Sequence, residues 1–159
     1  MKKAVIFDID GVLAKISKNE DGTPKRGYRD YDKVDTDEPI KEMFELLKDC
    51  GEFGKTPLFI TGRKEKCRKK TAVFLARGFF GRSDFTEDEM RKIAEKSKEF
   101  LFMRPDDLNC PAVKLKKEIY EKHIKGNYNV IMAFDDDPEI CKMYKEQGIL
   151  TLQPHTRED

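Results

Sequence analysis

Asp8 and Asp10 stand one residue apart in Phe7-Asp8-Ile9-Asp10-Gly11, directly after a run of apolar residues. Two carboxylates this close repel, and both stay ionised only where a cation compensates them. A second acidic cluster, Asp135-Asp136-Asp137, follows Val130-Ile131-Met132-Ala133-Phe134. Together Asp8, Asp10, Asp135 and Asp136 would form an all-oxygen ligand set, which suits Mg²⁺. Either cluster alone reads equally well as a surface turn or a helix cap. Both at the ends of predicted strands favour a metal–carboxylate site. Between them, Thr61-Gly62-Arg63 follows Pro57-Leu58-Phe59-Ile60. A hydroxyl and free backbone N–H groups at a helix start bind phosphate oxygens, and a guanidinium grips them in a fork. Thr61, Gly62 and Arg63 are therefore candidate phosphate-binding residues.

The elements that must position these groups follow one rhythm, a short apolar run and then a helical pattern. Ala4–Phe7, Pro57–Ile60, Phe100–Met103, Val130–Phe134 and Ile149–Leu152 read as strands, the continuous apolar ones suited to burial on both faces. Helices are predicted from about Glu38 to Lys48 with Pro39 in the first turn, and from about Glu65 to Ala76. Another starts at the capping box Thr86…Glu89, and two more span Pro111–His123 and Pro138–Gln147, the last stopped by Gly148. Alternation of this kind predicts an α/β, Rossmann-like fold: a mostly parallel sheet with helices on both faces and ligands outside the carboxyl ends of the strands. The polar, glycine-containing stretch of about residues 11–36 breaks the rhythm and reads as a flap over the site.

Residues 1–159 fit one domain, and no repeat or low-complexity linker divides them. The chain is 40% charged but balanced at 32 basic against 31 acidic residues, so any nucleic-acid footprint must be local. The four cysteines form no CxxC pair and read as reduced thiols. No run approaches the roughly 20 apolar residues of a membrane span, and the N-terminal apolar run is too short for a signal peptide. A cytoplasmic location without membrane contact is expected. His123 and His155 carry no evident chemistry.

In order along the chain, Asp8-Ile9-Asp10-Gly11-Val12, Thr61-Gly62-Arg63, a lysine at 114 or 116, and Asp135-Asp136 resemble the four motifs of the haloacid dehalogenase (HAD) superfamily of phosphotransferases. Nearly the whole chain also resembles the 3′-phosphatase domains of phage polynucleotide kinase-phosphatases. Arg26-Gly27, Lys33-Val34-Asp35-Thr36-Asp37, Lys117-Glu118-Ile119, Lys122-His123-Ile124 and Ala133-Phe134-Asp135-Asp136 carry that likeness. The resemblance implies that Asp8 attacks phosphorus and that Asp10 acts as general acid, then base, with a raised pKa for the first task. It implies that Thr61 and the motif lysine hold the phosphoryl group and that Asp135 and Asp136 help bind Mg²⁺. Lys114 follows Val113 as the family's lysine follows valine, whereas Lys116 aligns without a gap to Glu118-Ile119. Lys114 is the first candidate and Lys116 the second. Val12 stands where the superfamily usually has threonine, and a flap-facing apolar residue is expected to be tolerated there. No GxxxxGK[ST] loop occurs, so no kinase domain is expected.

The implied activity is a phosphomonoester hydrolase passing through an aspartyl phosphate. For substrate, Arg63-Lys64-Glu65-Lys66-Cys67-Arg68-Lys69-Lys70 holds six basic residues against one acidic. Such a run could follow a nucleic-acid backbone or form a solvated helix face. The flap adds Lys15, Lys18, Lys25, Arg26 and Arg29, with Tyr28 and Tyr31 available to stack on bases. Arg26 is the flap residue that the resemblance offers as a phosphate contact, with Arg29 in reserve. A 3′-phosphatase of DNA or RNA ends, working beside a separate kinase or ligase, is the first reading. A phosphatase of nucleotides or sugar phosphates is the second. The third is a silent domain that binds nucleic-acid ends or a partner.

Overall fold

The computed structural model describes residues 1–154; His155 lies outside them. In chain order the elements are Lys2–Phe7 (β1), Ala14–Lys15 (β2), Glu38–Pro39 (β3), Lys41–Glu52 (α1), Thr56–Lys64 (β4), Arg68–Phe80 (α2), Glu87–Ser97 (α3), Leu101–Arg104 (β5), Ala112–Ile119 (α4), Tyr128–Phe134 (β6), Pro138–Glu146 (α5) and Leu150–Leu152 (β7). Five strands form one sheet in the order β5-β4-β1-β6-β7, and every neighbouring pair is parallel. The chain leaves β1 toward β4 and β5, then returns to the far side for β6 and β7. The strand order therefore switches direction at β1, where such sheets open a crevice beyond their carboxyl ends.

Successive side chains of a strand point to opposite faces, so the apolar runs feed two cores at once. Val5, Phe7 and Phe59 pack with Phe44 and Leu47 of α1 and Phe74 and Leu75 of α2. Ala4, Ile6, Leu58 and Ile60 pack on the other face with Leu115 and Ile119 of α4 and Ile140, Met143 and Tyr144 of α5. The α/β reading from the sequence holds. The capping box at Thr86 forms as expected, with Thr86 Oγ1 accepting from Glu89 N at 3.1 Å.

Departures cluster where the chain approaches the sheet's carboxyl edge. Glu38-Pro39 is a strand paired with Ala14–Lys15 rather than the first turn of a helix, which delays α1 to Lys41. Thr61-Gly62-Arg63 continues β4 as extended chain, and the helical turn starts only at Glu65. After Ile119 the fourth helix loosens into a π turn, Tyr120–Ile124. The expected flap is anchored as well: Val12, Leu13 and Ala14 at one end and Val34 near the other are fully buried. Val12 therefore serves the core, in the same cluster as Val34 of the flap.

Candidate active site

The floor of the crevice is built by the ends of β1 and β6. Asp8 N donates to Phe134 O at 2.9 Å, which holds the two strand ends in register. Gly11 then turns the chain with φ +81°, and a Cβ there would lie 2.1 Å from Asp136 Oδ2. Glycine alone lets the first loop pass this close to the second acidic cluster. One carboxylate oxygen from each of Asp8, Asp135 and Asp136 consequently lies within 4.8 Å of the others. Three buried oxygen donors of this kind fit a hard divalent cation. Asp137 turns away and caps α5, accepting from Glu139 N at 2.8 Å. Its own N–H steadies Asp135 Oδ1 at 3.0 Å.

Lys116 reaches this floor from α4. Its Nζ lies 2.9 Å from Asp8 Oδ1 and 2.6 Å from Asp135 Oδ2, with the side chain only 3% exposed. Lys114, two residues earlier, is exposed. At about 100° per residue, a helix face that buries 116 points 114 elsewhere. Asp8 and Asp135 hold the Lys116 ammonium above its usual range despite burial. Burial, and then the Asp135 charge, push the Asp8 carboxyl well up, with Lys116 opposing.

Asp10 is separate from the carboxylate cluster, although it was expected among the metal ligands. Arg63 Nε and Nη2 donate to its two oxygens at 3.0 and 2.8 Å, and Arg26 Nη2 lies 3.3 Å from Oδ1. Both guanidiniums also hold Asp37: Arg26 donates twice at 2.7 Å and Arg63 Nη2 once at 2.8 Å. Thr71 Oγ1 takes a further Arg63 donor at 3.2 Å. The forks expected to grip phosphate are thus turned onto carboxylates, and the Arg26 and Arg63 side chains are essentially buried. Burial raises the Asp10 pKa, but the Arg63 and Arg26 charges outweigh it and hold the carboxyl below the usual range. This reverses the raised pKa that the sequence suggested. Thr61 is fully buried, and its hydroxyl accepts from Arg63 N at 3.2 Å, steadying the motif from within.

Above this floor opens a cleft of ≈ 650 Å³ that includes Asp8, Asp10, Gly62, Lys116, Asp135 and Asp136. Tyr28, Arg29 and Tyr31 of the flap line one part, and Lys64, Lys66 and Arg104 another. The basic run is largely neutralised locally. Arg68 pairs with Glu65, Lys69 with Glu87 and Lys70 with Asp35, while Arg63 serves Asp10. Lys64 and Lys66 form no ion pair among the described residues and face the cleft. His123 stacks on Phe102, well apart from this chemistry.

Two contributors escaped the sequence. Asp37 was noticed only as part of a flap motif, because the guanidiniums it neutralises lie 11 and 26 residues away. Arg104 ends β5 and donates to the carbonyls of Gly62 at 3.1 Å and Cys110 at 2.7 Å, fastening one wall of the cleft. Its place at a strand end was the available signal.

A sequence model of the polynucleotide kinase PNKP phosphatase domain matches residues 2–157. A protein of Autographa californica nuclear polyhedrosis virus, described as a bifunctional polynucleotide kinase/RNA ligase, is 29% identical over 155 residues, which is 94% of this chain and 19% of that one. A structure of the Pnkp1/Rnl/Hen1 complex superposes with TM-score 0.76 at 24% identity, covering 96% of this chain and 46% of the other. The class C acid phosphatase from Bacillus anthracis shares the fold at TM-score 0.58 and 12% identity, with 98% of this chain and 68% of that one covered. The chain therefore spans under half the length of the first two relatives. Among the described residues no helix is long and apolar enough to cross a membrane. The family match extends over nearly every residue, and the chain belongs to the PNKP phosphatase domain family of HAD-type phosphatases.

Proposed function

We propose that this domain is a Mg²⁺-dependent phosphatase that removes 3′-phosphates from polynucleotide ends through a covalent intermediate on Asp8. The observation that carries this reading is the division of labour between two aspartates one residue apart. Asp8 faces Lys116 and the carboxylate cluster. Asp10, braced by Arg63, faces the cleft from the other side.

Asp8, Asp135 and Asp136 would hold the cation, which would supply positive charge to the phosphoryl oxygens. Lys116 lies beside Asp8 and offers a fixed ammonium to the same oxygens as charge develops. An Asp8 oxygen forms a bond to phosphorus while the bond to the sugar oxygen breaks. Asp10 gives that oxygen its proton. A water then loses a proton to Asp10 and attacks the aspartyl phosphate, which restores the Asp8 carboxylate and frees inorganic phosphate. Asp10 rests ionised and takes up a proton from solvent when the substrate binds, because an anionic phosphate placed beside it favours the protonated form. The two guanidiniums set the orientation of this carboxyl and leave the phosphate to Lys116 and the cation.

The names of the relatives support nucleic-acid ends as the substrate, and RNA over DNA. They also support a kinase or ligase activity acting on the same ends. Lys64 and Lys66, which form no ion pair among the described residues, line the cleft and fit a polyanion. The test is phosphate release, with Mg²⁺, from a 3′-phosphorylated oligonucleotide beside a 5′-phosphorylated control and small phosphate esters. Selective loss of the 3′-phosphate is expected. Cleavage of small esters alone would overturn the polynucleotide substrate.

A further inference from the structure

Exposed apolar side chains scattered singly are ordinary, so what distinguishes one of them is its position. Seven such residues among those described are exposed: Met1, Tyr28, Leu46, Phe53, Phe80, Leu150 and Leu152. Of these only Tyr28 lines the active-site cleft, and it is 63% exposed. Its neighbour Tyr31 also lines the cleft but packs against the core, so it presents less free surface. We propose that the ring of Tyr28 is the stacking platform for the base of the terminal nucleotide, and that it distinguishes a polynucleotide end from a small phosphate ester. This inference rests on the 3′-phosphatase reading.

The platform is registered to the chemistry. Arg26 Nη1 donates to the carbonyls of Gly27 at 3.1 Å and Tyr28 at 3.0 Å. The same guanidinium is locked by Asp37 and reaches Asp10. The backbone that carries the ring is thus tied to the carboxyl that handles the proton. The tyrosine hydroxyl also feels the acidic floor: burial and then Asp10, Asp8 and Asp136 push its pKa up to about 12. The ring is therefore neutral at working pH, and it borders the same cleft as Asp8, Asp10 and Asp136. Every nucleobase has a flat π-face that such a ring accepts without regard to sequence. Lys64 and Lys66 on the cleft wall remain for the phosphates of the preceding nucleotides.

The test compares wild type, Tyr28→Ala and Tyr28→Phe on three substrates with Mg²⁺. These are a 3′-phosphorylated oligonucleotide, the same oligonucleotide with an abasic terminal residue, and glycerol phosphate. Base–aromatic stacking is worth roughly 5- to 150-fold by alanine substitution. KM of the alanine variant should rise by that factor on the normal end, with kcat changed less than about twofold, because stacking binds ground and transition states alike. The normal-end to abasic-end ratio of kcat/KM should fall by that factor in Tyr28→Ala and keep its wild-type value in Tyr28→Phe. An equal loss on normal and abasic ends overturns the proposal while leaving the 3′-phosphatase reading intact. A phenylalanine variant as impaired as the alanine one also overturns it, since the hydroxyl would then be the contact. A wild type active on glycerol phosphate but inert on both oligonucleotides removes the underlying reading and the proposal together.

Discussion

Replacing Lys116 by methionine is the perturbation that asks most of this site. The ammonium lies 2.9 Å from Asp8 and 2.6 Å from Asp135, and its side chain is 3% exposed, so solvent hardly screens the pairs. Methionine keeps the aliphatic bulk and deletes the charge, leaving Asp8, Asp135 and Asp136 crowded within 4.8 Å. Breaking a buried ion pair by removing one partner costs about 3–5 kcal/mol. For a chain of this length each kcal/mol moves Tm by roughly 2–4 °C, so a fall of roughly 6–20 °C is expected in EDTA. Adding Mg²⁺ should narrow the gap, because a divalent cation supplies positive charge to the same carboxylates. Phosphatase kcat should fall by about 10²–10³, the usual cost of deleting one fixed electrostatic stabiliser. Lys114→Ala is the control: an exposed lysine on the same helix should move stability by no more than about 0.5 kcal/mol. Thermal unfolding with and without Mg²⁺, paired with single-turnover phosphate release, reads all of these. A Lys116→Met protein as stable in EDTA as wild type and retaining turnover, or a Lys114→Ala protein that loses turnover, would refute the assignment.

Asp8→Asn should abolish turnover, since an amide is no nucleophile, yet raise the metal-free Tm. The wild-type Asp8 pKa lies above its unfolded value, so Asp8 favours folding below about pH 4 and that gain is lost as pH rises through the folded pKa; a Tm–pH series in EDTA in which the two proteins run parallel would contradict this. Gly11→Ala would push a methyl group onto Asp136 Oδ2 at a backbone φ of +81°, and a stability loss of about 1–3 kcal/mol with weakened Mg²⁺ dependence should appear in thermal melts and metal titrations. Gly78→Ala sets two effects against each other: helix propensity favours alanine by about 1 kcal/mol. The new Cβ would lie 2.3 Å from the buried Phe44 ring, and overpacking at about 1–3 kcal/mol should win, lowering Tm while leaving kcat unchanged.

That Asp8, Asp135 and Asp136 would meet was legible because the signal is local. Asp8 and Asp135-Asp136 each terminate a run of apolar residues, and a parallel sheet delivers such ends to one edge. The choice between Lys114 and Lys116 was not legible, because it depends on helix phase. Phase is fixed by where α4 starts, and Pro111 proved to be its N-cap. The carboxylate partners of Arg26 and Arg63 were not legible for a different reason. An arginine beside a phosphate site reads as a phosphate ligand unless its carboxylate partner is visible, and Asp37 is brought in by the returning flap. The basic run at 63–70 is divided by the same kind of pairing, since Glu87 and Asp35 from distant segments meet Lys69 and Lys70 while Lys64 and Lys66 line the cleft. Pairing across the chain, rather than residue type, is what single-sequence reading lacks.

The two motif aspartates are pushed in opposite directions by these partners, and the direction of each is opposite to its resting need. Asp8, the proposed nucleophile, must be ionised, yet burial and Asp135 favour its neutral form. Asp10, the proposed acid, must carry a proton, yet Arg63 and Arg26 hold it ionised. Each conflict is resolved by a different ligand. A divalent cation among Asp8, Asp135 and Asp136 favours the charged carboxylate, and an anionic phosphate near Asp10 favours the protonated one. In the proposed mechanism the cation would ready Asp8 and the ester would ready Asp10. This arrangement explains why two guanidiniums are spent on Asp10 and Asp37 instead of the substrate. They fix the Asp10 carboxyl in direction and hold its pKa low.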